Sequence, residues 1–522
     1  MDLLKLVTVI AVGAAVLLVG ISAFDSGVLS PGDALDNSFP PYMTAGPLRA
    51  VPSPFEVAWD DRELFGEGLI ASERPVLDEL PGLSVYHIYF EISEDLALLT
   101  GHEEVLYTNR EDEPLDEVFF RLFPNTAGGE ARLSSIEVEG MEVEPLHEFG
   151  DSAARLILPE RLLPGDDIVI EMDFRVKVAL EMSGNYGLFG YFDDVLVLDE
   201  FYPVIPVYDD EGWNVEPLPP HGDASYFDAS LYLVRVCAPA HLALVASGVE
   251  VGREYEDGKQ IVTFAAGPAR DFYLAGSSEY MVVSEMVGET RVNSFAFPER
   301  QERAELVLRI AADALSIYSE RFGDYPYSEL DIVSSPMLAS GVEYPGITGI
   351  SLKLYDPDAI VRGLPSAVML EGTVPHEVAH QWFYNPVGND QVDEPWLDEA
   401  LAQYCTGLYY DEIHGERIAS EYRKGGWEDS WGRIEHKDIP IGLASADYED
   451  EEYVPIIYGR GPLFLEALAE EMGQGVFDRF LRDYFQSHKW EIATTELFKQ
   501  LAEEHCQCDL TRVFEEWVYA RQ

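Results

Sequence analysis

Positive charge is scarce in this chain. Its 522 residues carry 34 Lys and Arg against 96 Asp and Glu, a formal charge of −62. Such a balance argues against nucleic acid and anionic membrane surfaces as partners, because repulsion would have to be overcome first. It would attract metal ions and peptide amines, although the ordinary meaning of an acidic surface is a solvated face. Cysteine is scarcer still. Cys237, Cys405, Cys506 and Cys508 make neither a disulfide framework nor a four-cysteine zinc knot. Cys405 reads as a small core residue, and the C-x-C pair as plainly buried, with metal binding or a strained bridge as its alternatives. Repeats and low-complexity tracts are absent. Hydrophobic residues, by contrast, make up 47% of the chain and aromatics 12%, so it is globular rather than disordered and long enough for two to four domains.

Only one long apolar run occurs, VTVIAVGAAVLLVGISAF at residues 7–24. Eighteen uncharged residues approach the length that spans a bilayer as a helix and exceed a typical secretory apolar stretch. Residues 1–24 therefore read as a membrane anchor or a signal peptide cleaved after Ala23. Lys5 before the run and acidic residues after it place the remainder outside the cytoplasm, at the cell membrane or secreted. Residues 25–75 are rich in Pro, Gly, Ser and Asp and read as a tether and irregular lead-in. Short alternating segments such as YHIYFEI and DIVIEMDFRVKV predict an antiparallel β-domain over 76–288. Residues 289–522 mix strands with helices, beginning with the amphipathic 302–322.

Within that second half stands VPHEVAHQWF, residues 374–383. On a helix, positions four apart share a face, so His376 and His380 can reach one ion while Glu377 leans toward its open side. Two neutral imidazoles on zinc, with a carboxylate to take a proton from the attacking water, are what a metal hydrolase needs. Pro375 fits the first turn of such a helix. A buried structural histidine pair is the bland alternative, since chance supplies this motif in roughly two such chains in a hundred. A third ligand separates the two. Glu399, in DEPWLDEALAQY, lies eighteen residues beyond His380 at the start of a second helical pattern, and requiring it makes chance about tenfold rarer.

Together these stretches resemble the aminopeptidase N-type gluzincins of the peptidase M1 family. The likeness runs from about residue 80 to 520, resting on HEVAHQWF and WLDEALAQY and more diffusely on YTN, LFPN, HGD and VASG upstream. It implies an N-terminal antiparallel β-sandwich-like domain followed by an α+β thermolysin-like catalytic domain. It also implies one zinc ion held by His376, His380 and Glu399, with Glu377 as general base. The family's glycine-rich edge strand corresponds to SGVEYPG, making Gly341, Val342 and Glu343 substrate-binding, with Glu343 holding the peptide's free amino end. Ser340, Val342 and Tyr344 depart from the usual glycine, methionine and asparagine, which bears on the first substrate pocket. Glu200 is a weak candidate for the second amine-binding residue. IIYGRGP places Tyr458 where the family has a phenol that stabilises the oxyanion.

The implied activity is zinc-dependent removal of the first residue from peptide substrates. About 120 residues follow Glu399, enough for the catalytic domain but not for the long helical domain of many relatives, so an open cleft is expected. Two alternatives stand beside this reading: an open-cleft zinc endopeptidase, and an interaction protein that keeps the fold without turnover. Oligomeric state is not legible.

Overall fold

The computed structural model describes residues 50–519 apart from 183, 216, 218, 224, 436–437 and 450. The apolar run at 7–24 and the first half of the tether lie outside the described residues. Among the described residues no helix is long and apolar enough to cross a membrane.

The alternating segments of the first half pair into an eight-stranded sheet. From one edge to the other it runs Val249–Glu256, Lys259–Ala269, Ser230–Pro239, Ser84–Ile92, Leu98–Thr108, Asp167–Lys177, Glu130–Val138 and Met141–Glu142. Its neighbours are antiparallel except Ser84–Ile92 against Ser230–Pro239, which lie parallel. Period-two alternation puts Leu99, Val105 and Tyr107 on the inner face. There they meet a four-stranded sheet built from Phe189–Phe192, Val195–Leu198, Leu274–Ser277 and Ala243–Ala246. The inner row also contains Glu103, with neither carboxylate oxygen hydrogen-bonded. Burial pushes its carboxyl well above the ordinary range, so the folded state keeps a proton that the unfolded chain releases above about pH 4.5. Stability therefore falls as pH rises beyond that point. Glu103→Met removes the penalty and is expected to stabilise the protein by about 2 kcal/mol near neutral pH. Thermal melts at pH 5 and pH 8 check this, since the gain must be larger at pH 8.

The second half is built on a five-stranded sheet in the order Met281–Val287, Thr290–Ala296, Glu329–Ser335, Ile347–Ser351, Gly341–Tyr344. Met281–Val287 belongs here rather than to the β-domain that the sequence extended to 288, because it forms a hairpin with Thr290–Ala296. The Gln301–Phe322 helix buries Ala304, Val307, Ala311, Leu315 and Tyr318 on one face, the 3.6-residue stripe of an amphipathic helix. It packs on Met281–Val287 and Thr290–Ala296 and on the Ser366–Ala379 helix. The irregular lead-in is docked from residue 50 onward. Phe65, Leu69 and Leu77 enter the core, Ile70 N–H donates to Pro326 O at 3.0 Å, and Glu73 accepts from Lys489 Nζ at 2.7 Å.

The halves are joined by a cation. Arg270, at the end of the Lys259–Ala269 strand, is 2% exposed. Its guanidinium donates to the carbonyls of Asn385, Pro386, Glu491 and Phe227. The first two lie in the turn just after HEVAHQWF. Gly388 follows because a Cβ there would stand 2.4 Å from Arg270 Cζ. The C-x-C pair takes the bridged alternative rather than plain burial. Cys506 and Cys508 are bonded to each other at a helix end where Gln507 turns left-handed, φ 54°, and Cys508 is exposed rather than buried. Cys405 is the buried core thiol expected.

Candidate active site

His376 lies near the end of the Ser366–Ala379 helix and His380 caps it with helical backbone angles. Their Nε2 atoms are 3.3 Å apart. The helix starts nine residues before Pro375, so this proline sits in its interior rather than its first turn. The missing N–H there forgoes one helical bond, and Pro375 O instead accepts from buried Tyr318 Oη at 3.1 Å. Glu399 stands in the first turn of the antiparallel Trp396–His414 helix, where an anion is favoured by the exposed N–H groups. Its Oε2 is 3.0 Å from His376 Nε2 and 3.6 Å from His380 Nε2. Burial alone would raise the Glu399 carboxyl, but the two imidazoles override it and hold it well below its usual range.

All three ligand atoms fall within 4.8 Å of one another, and the donor set suits zinc. His380 Nδ1 lies 3.1 Å from Phe383 O, which fixes the tautomer with Nε2 left for an ion. Burial lowers the His380 pKa, but Glu399 beside it prevails and sets it at about 9. Glu343, Glu377 and His380 form a second cluster of the same tightness, so Glu377 borders the first cluster.

Glu377 is 5% exposed, and burial first, then the negative charge of Glu343, push its carboxyl well up. Its side chain fills the space above Gly341. A Cβ on Gly341 would stand 2.3 Å from Glu377 Oε1, so the edge strand needs glycine there to admit the base. Gly341→Ala is expected to displace Glu377 and cut kcat about a hundredfold with the melting temperature little changed. Steady-state kinetics alongside thermal melts decide it.

The rest of the edge strand turns inward. Val342 and Glu343 line a hollow with Asp199, Glu200, Asp223 and Gln391. Glu343 is buried, 3.9 Å from His380 Nε2, and accepts from Gln391 Nε2 at 3.0 Å. Glu200 reaches the same hollow from the β-rich half, accepting from Ser225 Oγ at 2.6 Å. Its φ of 42°, with Asn185 at 38° and Tyr186 at 51° beside it, marks strained backbone around the site. Tyr344, which departs from the family pattern, stacks on Tyr273 of the β-rich half at 4.0 Å and so anchors the strand sideways.

Tyr458 arrives on the wide helical turn Pro455–Arg460, followed by the Gly461–Met472 helix. Gly461 permits this approach, since a Cβ there would stand 2.5 Å from Ala400 Cβ. The Tyr458 hydroxyl donates to Glu399 Oε1, so in this structure it faces a ligand carboxylate rather than an empty oxyanion position.

Four contributors escaped the sequence. Gln381 Nε2 donates to Tyr344 O at 2.8 Å while its Oε1 accepts from Gly346 N–H at 3.0 Å, tying the edge hairpin to the histidine helix. Asp398 accepts from Gln391, Asn389 and the Glu399 N–H. Asp223, in the HGD stretch, is pushed well up by burial and then by Glu399 and Asp398. Gln391 bridges Glu343 and Asp398. The position of Gln381 directly after His380 was the one usable signal.

Residues 307–517 match the Peptidase family M1 domain. "Aminopeptidase 2" of Candida albicans is 26% identical over 299 residues, covering 55% of this chain and 32% of that protein. The human "Endoplasmic reticulum aminopeptidase 2" is 22% identical over 401 residues, covering 71% and 39%. This chain thus spans roughly a third of the length of these curated relatives. Among solved structures, the M1 zinc metallopeptidase of Deinococcus radiodurans superposes with a TM-score of 0.61 at 19% identity, covering 85% of this chain and 95% of that one. A mutant of the same protein bound to a Tyr-Ser-Ala substrate gives 0.59. Residues 307–517 of this chain are thus similar to the Peptidase family M1 domain, within a fold shared with the zinc metallopeptidase of Deinococcus radiodurans.

Proposed function

We propose that this protein is a zinc-dependent aminopeptidase that removes the first residue of peptides. One observation carries the reading. Two carboxylates from different halves of the chain, Glu343 and Glu200, line one hollow beside Glu377 and the His376, His380, Glu399 cluster. A buried ammonium needs such counter-charges, and their place next to the ligand cluster would set cleavage after one residue. Zinc held by His376, His380 and Glu399 would supply a Lewis acid for the scissile carbonyl. Glu377 would accept the proton of the attacking water and hand it to the leaving amine. Tyr458, pivoting from Glu399, would donate to the oxyanion. A division into a β-domain and a peptidase domain near residue 280 goes with this reading. So does a location outside the cytoplasm, supported by the apolar run at 7–24.

The test is the amino end. Free-amine peptides are expected to lose one residue at a time, and their N-acetylated forms to react at least about a hundredfold more slowly, since the counter-charges lose their cation. Equal rates, or internal cuts seen by mass spectrometry, would instead favour the endopeptidase alternative.

A further inference from the structure

Gln391 lies on the stretch between the two ligand-bearing helices and is 2% exposed. Its Nε2 donates to Glu343 Oε1 at 3.0 Å and to Asp398 Oδ2 at 2.7 Å. Asp398 also accepts from the Glu399 N–H, so it takes the amide's N–H end, and this contact dictates which end of Gln391 faces the two carboxyl groups. The other end, Oε1, is buried and meets no donor among the described residues. An acceptor left in that state costs stability and calls for an explanation. The explanation is at hand in the hollow, whose wall includes Gln391 together with Glu343 and Glu200.

A primary ammonium carries three N–H donors. Two carboxylates satisfy two of them, and a third acceptor completes the set. We infer that Gln391 Oε1 takes the third N–H of the substrate's amino end, which makes the cleft selective for primary over N-alkylated amino termini. The inference rests on the aminopeptidase reading and adds to it a residue and a substrate class. Gln391 has a double office: its amide nitrogen orients Glu343, and its oxygen reads the ligand.

Calorimetric titration tests it without turnover, using zinc-loaded protein carrying Glu377→Gln. The probes are L-leucinamide, N-methyl-L-leucinamide and N-acetyl-L-leucinamide, with residue 391 intact or changed by Gln391→Met. Leucinamide is expected to bind about tenfold more weakly after Gln391→Met, the scale of one hydrogen bond from a charged donor. N-methylation is expected to cost a similar factor when Gln391 is intact and almost nothing after Gln391→Met, because both changes remove the same contact. If the two losses multiply, Gln391 only props Glu343 and the inference is overturned. Equal binding of leucinamide and its N-methyl form to protein with Gln391 intact overturns it as well, and that arm needs no change at 391. Binding of the N-acetyl form as tight as leucinamide sinks the aminopeptidase reading itself and the inference with it.

Discussion

Glu377→Gln is expected to lower kcat about a thousandfold while leaving one zinc per chain. Glutamine keeps the shape of the side chain in its slot above Gly341 but cannot accept a proton, so what disappears is general-base catalysis, worth about a hundred- to ten-thousandfold. The zinc content is the sharper half of the measurement. Glu343, Glu377 and His380 cluster as tightly as His376, His380 and Glu399, and only if the latter three hold the ion does stoichiometry survive the substitution. Metal analysis of the purified variant showing half-occupied or absent zinc would assign Glu377 to the ligand set and remove its role as base.

Chelation should have the larger effect. Activity is expected to fall below detection and to return with one equivalent of zinc, because the Tyr458 hydroxyl by itself is a far weaker electrophile than a divalent cation. Stability should fall as well, by about 4 kcal/mol when free zinc had stood at a thousand times its dissociation constant. The pH dependence carries a definite sign. In the ion-free protein the His380 pKa lies at about 9, since Glu399 outweighs the opposing effect of burial. Zinc must displace that proton. Affinity is therefore expected to climb about tenfold per pH unit below 9 and to level off above it. Competition titrations against a chromophoric chelator from pH 6 to pH 9.5 would show the slope, and a flat profile would mean that His380 is neutral before the ion arrives.

How far the sequence reached depends on how local each cause is. His376 and His380 were legible because helical spacing places them by itself. Glu399 followed from the length of one helical hairpin. Pro375 was misplaced because Ser366 to Gly372 carry too weak an apolar stripe to announce the turns before it. Met281–Val287 was given to the wrong sheet because alternation reveals a strand and says nothing of its partner. Glu200 was only weakly marked, since it meets Glu343 across two sheets. Gly341 was recognised by resemblance, yet its reason, the Glu377 side chain lying over its Cα, exists only in the folded packing. Gln391 carried no pattern at all, and Asp398 stood in WLDEALAQY without a role, because a hydrogen-bond network among residues on different elements leaves no periodic trace.

Arg270 makes the first half of the chain an organ of the second. Its donors are committed to four carbonyls, two of them on the loop that leaves the histidine helix, so that loop inherits its posture from the β-rich half. Residues 281–519 expressed by themselves would leave Asn385 O without its Arg270 donor, while Pro386 O and Glu491 O would keep only the N–H groups of Trp490 and Gly388. The β-rich half is in this sense less an appendage than a jig, holding the loop after the histidine helix to shape.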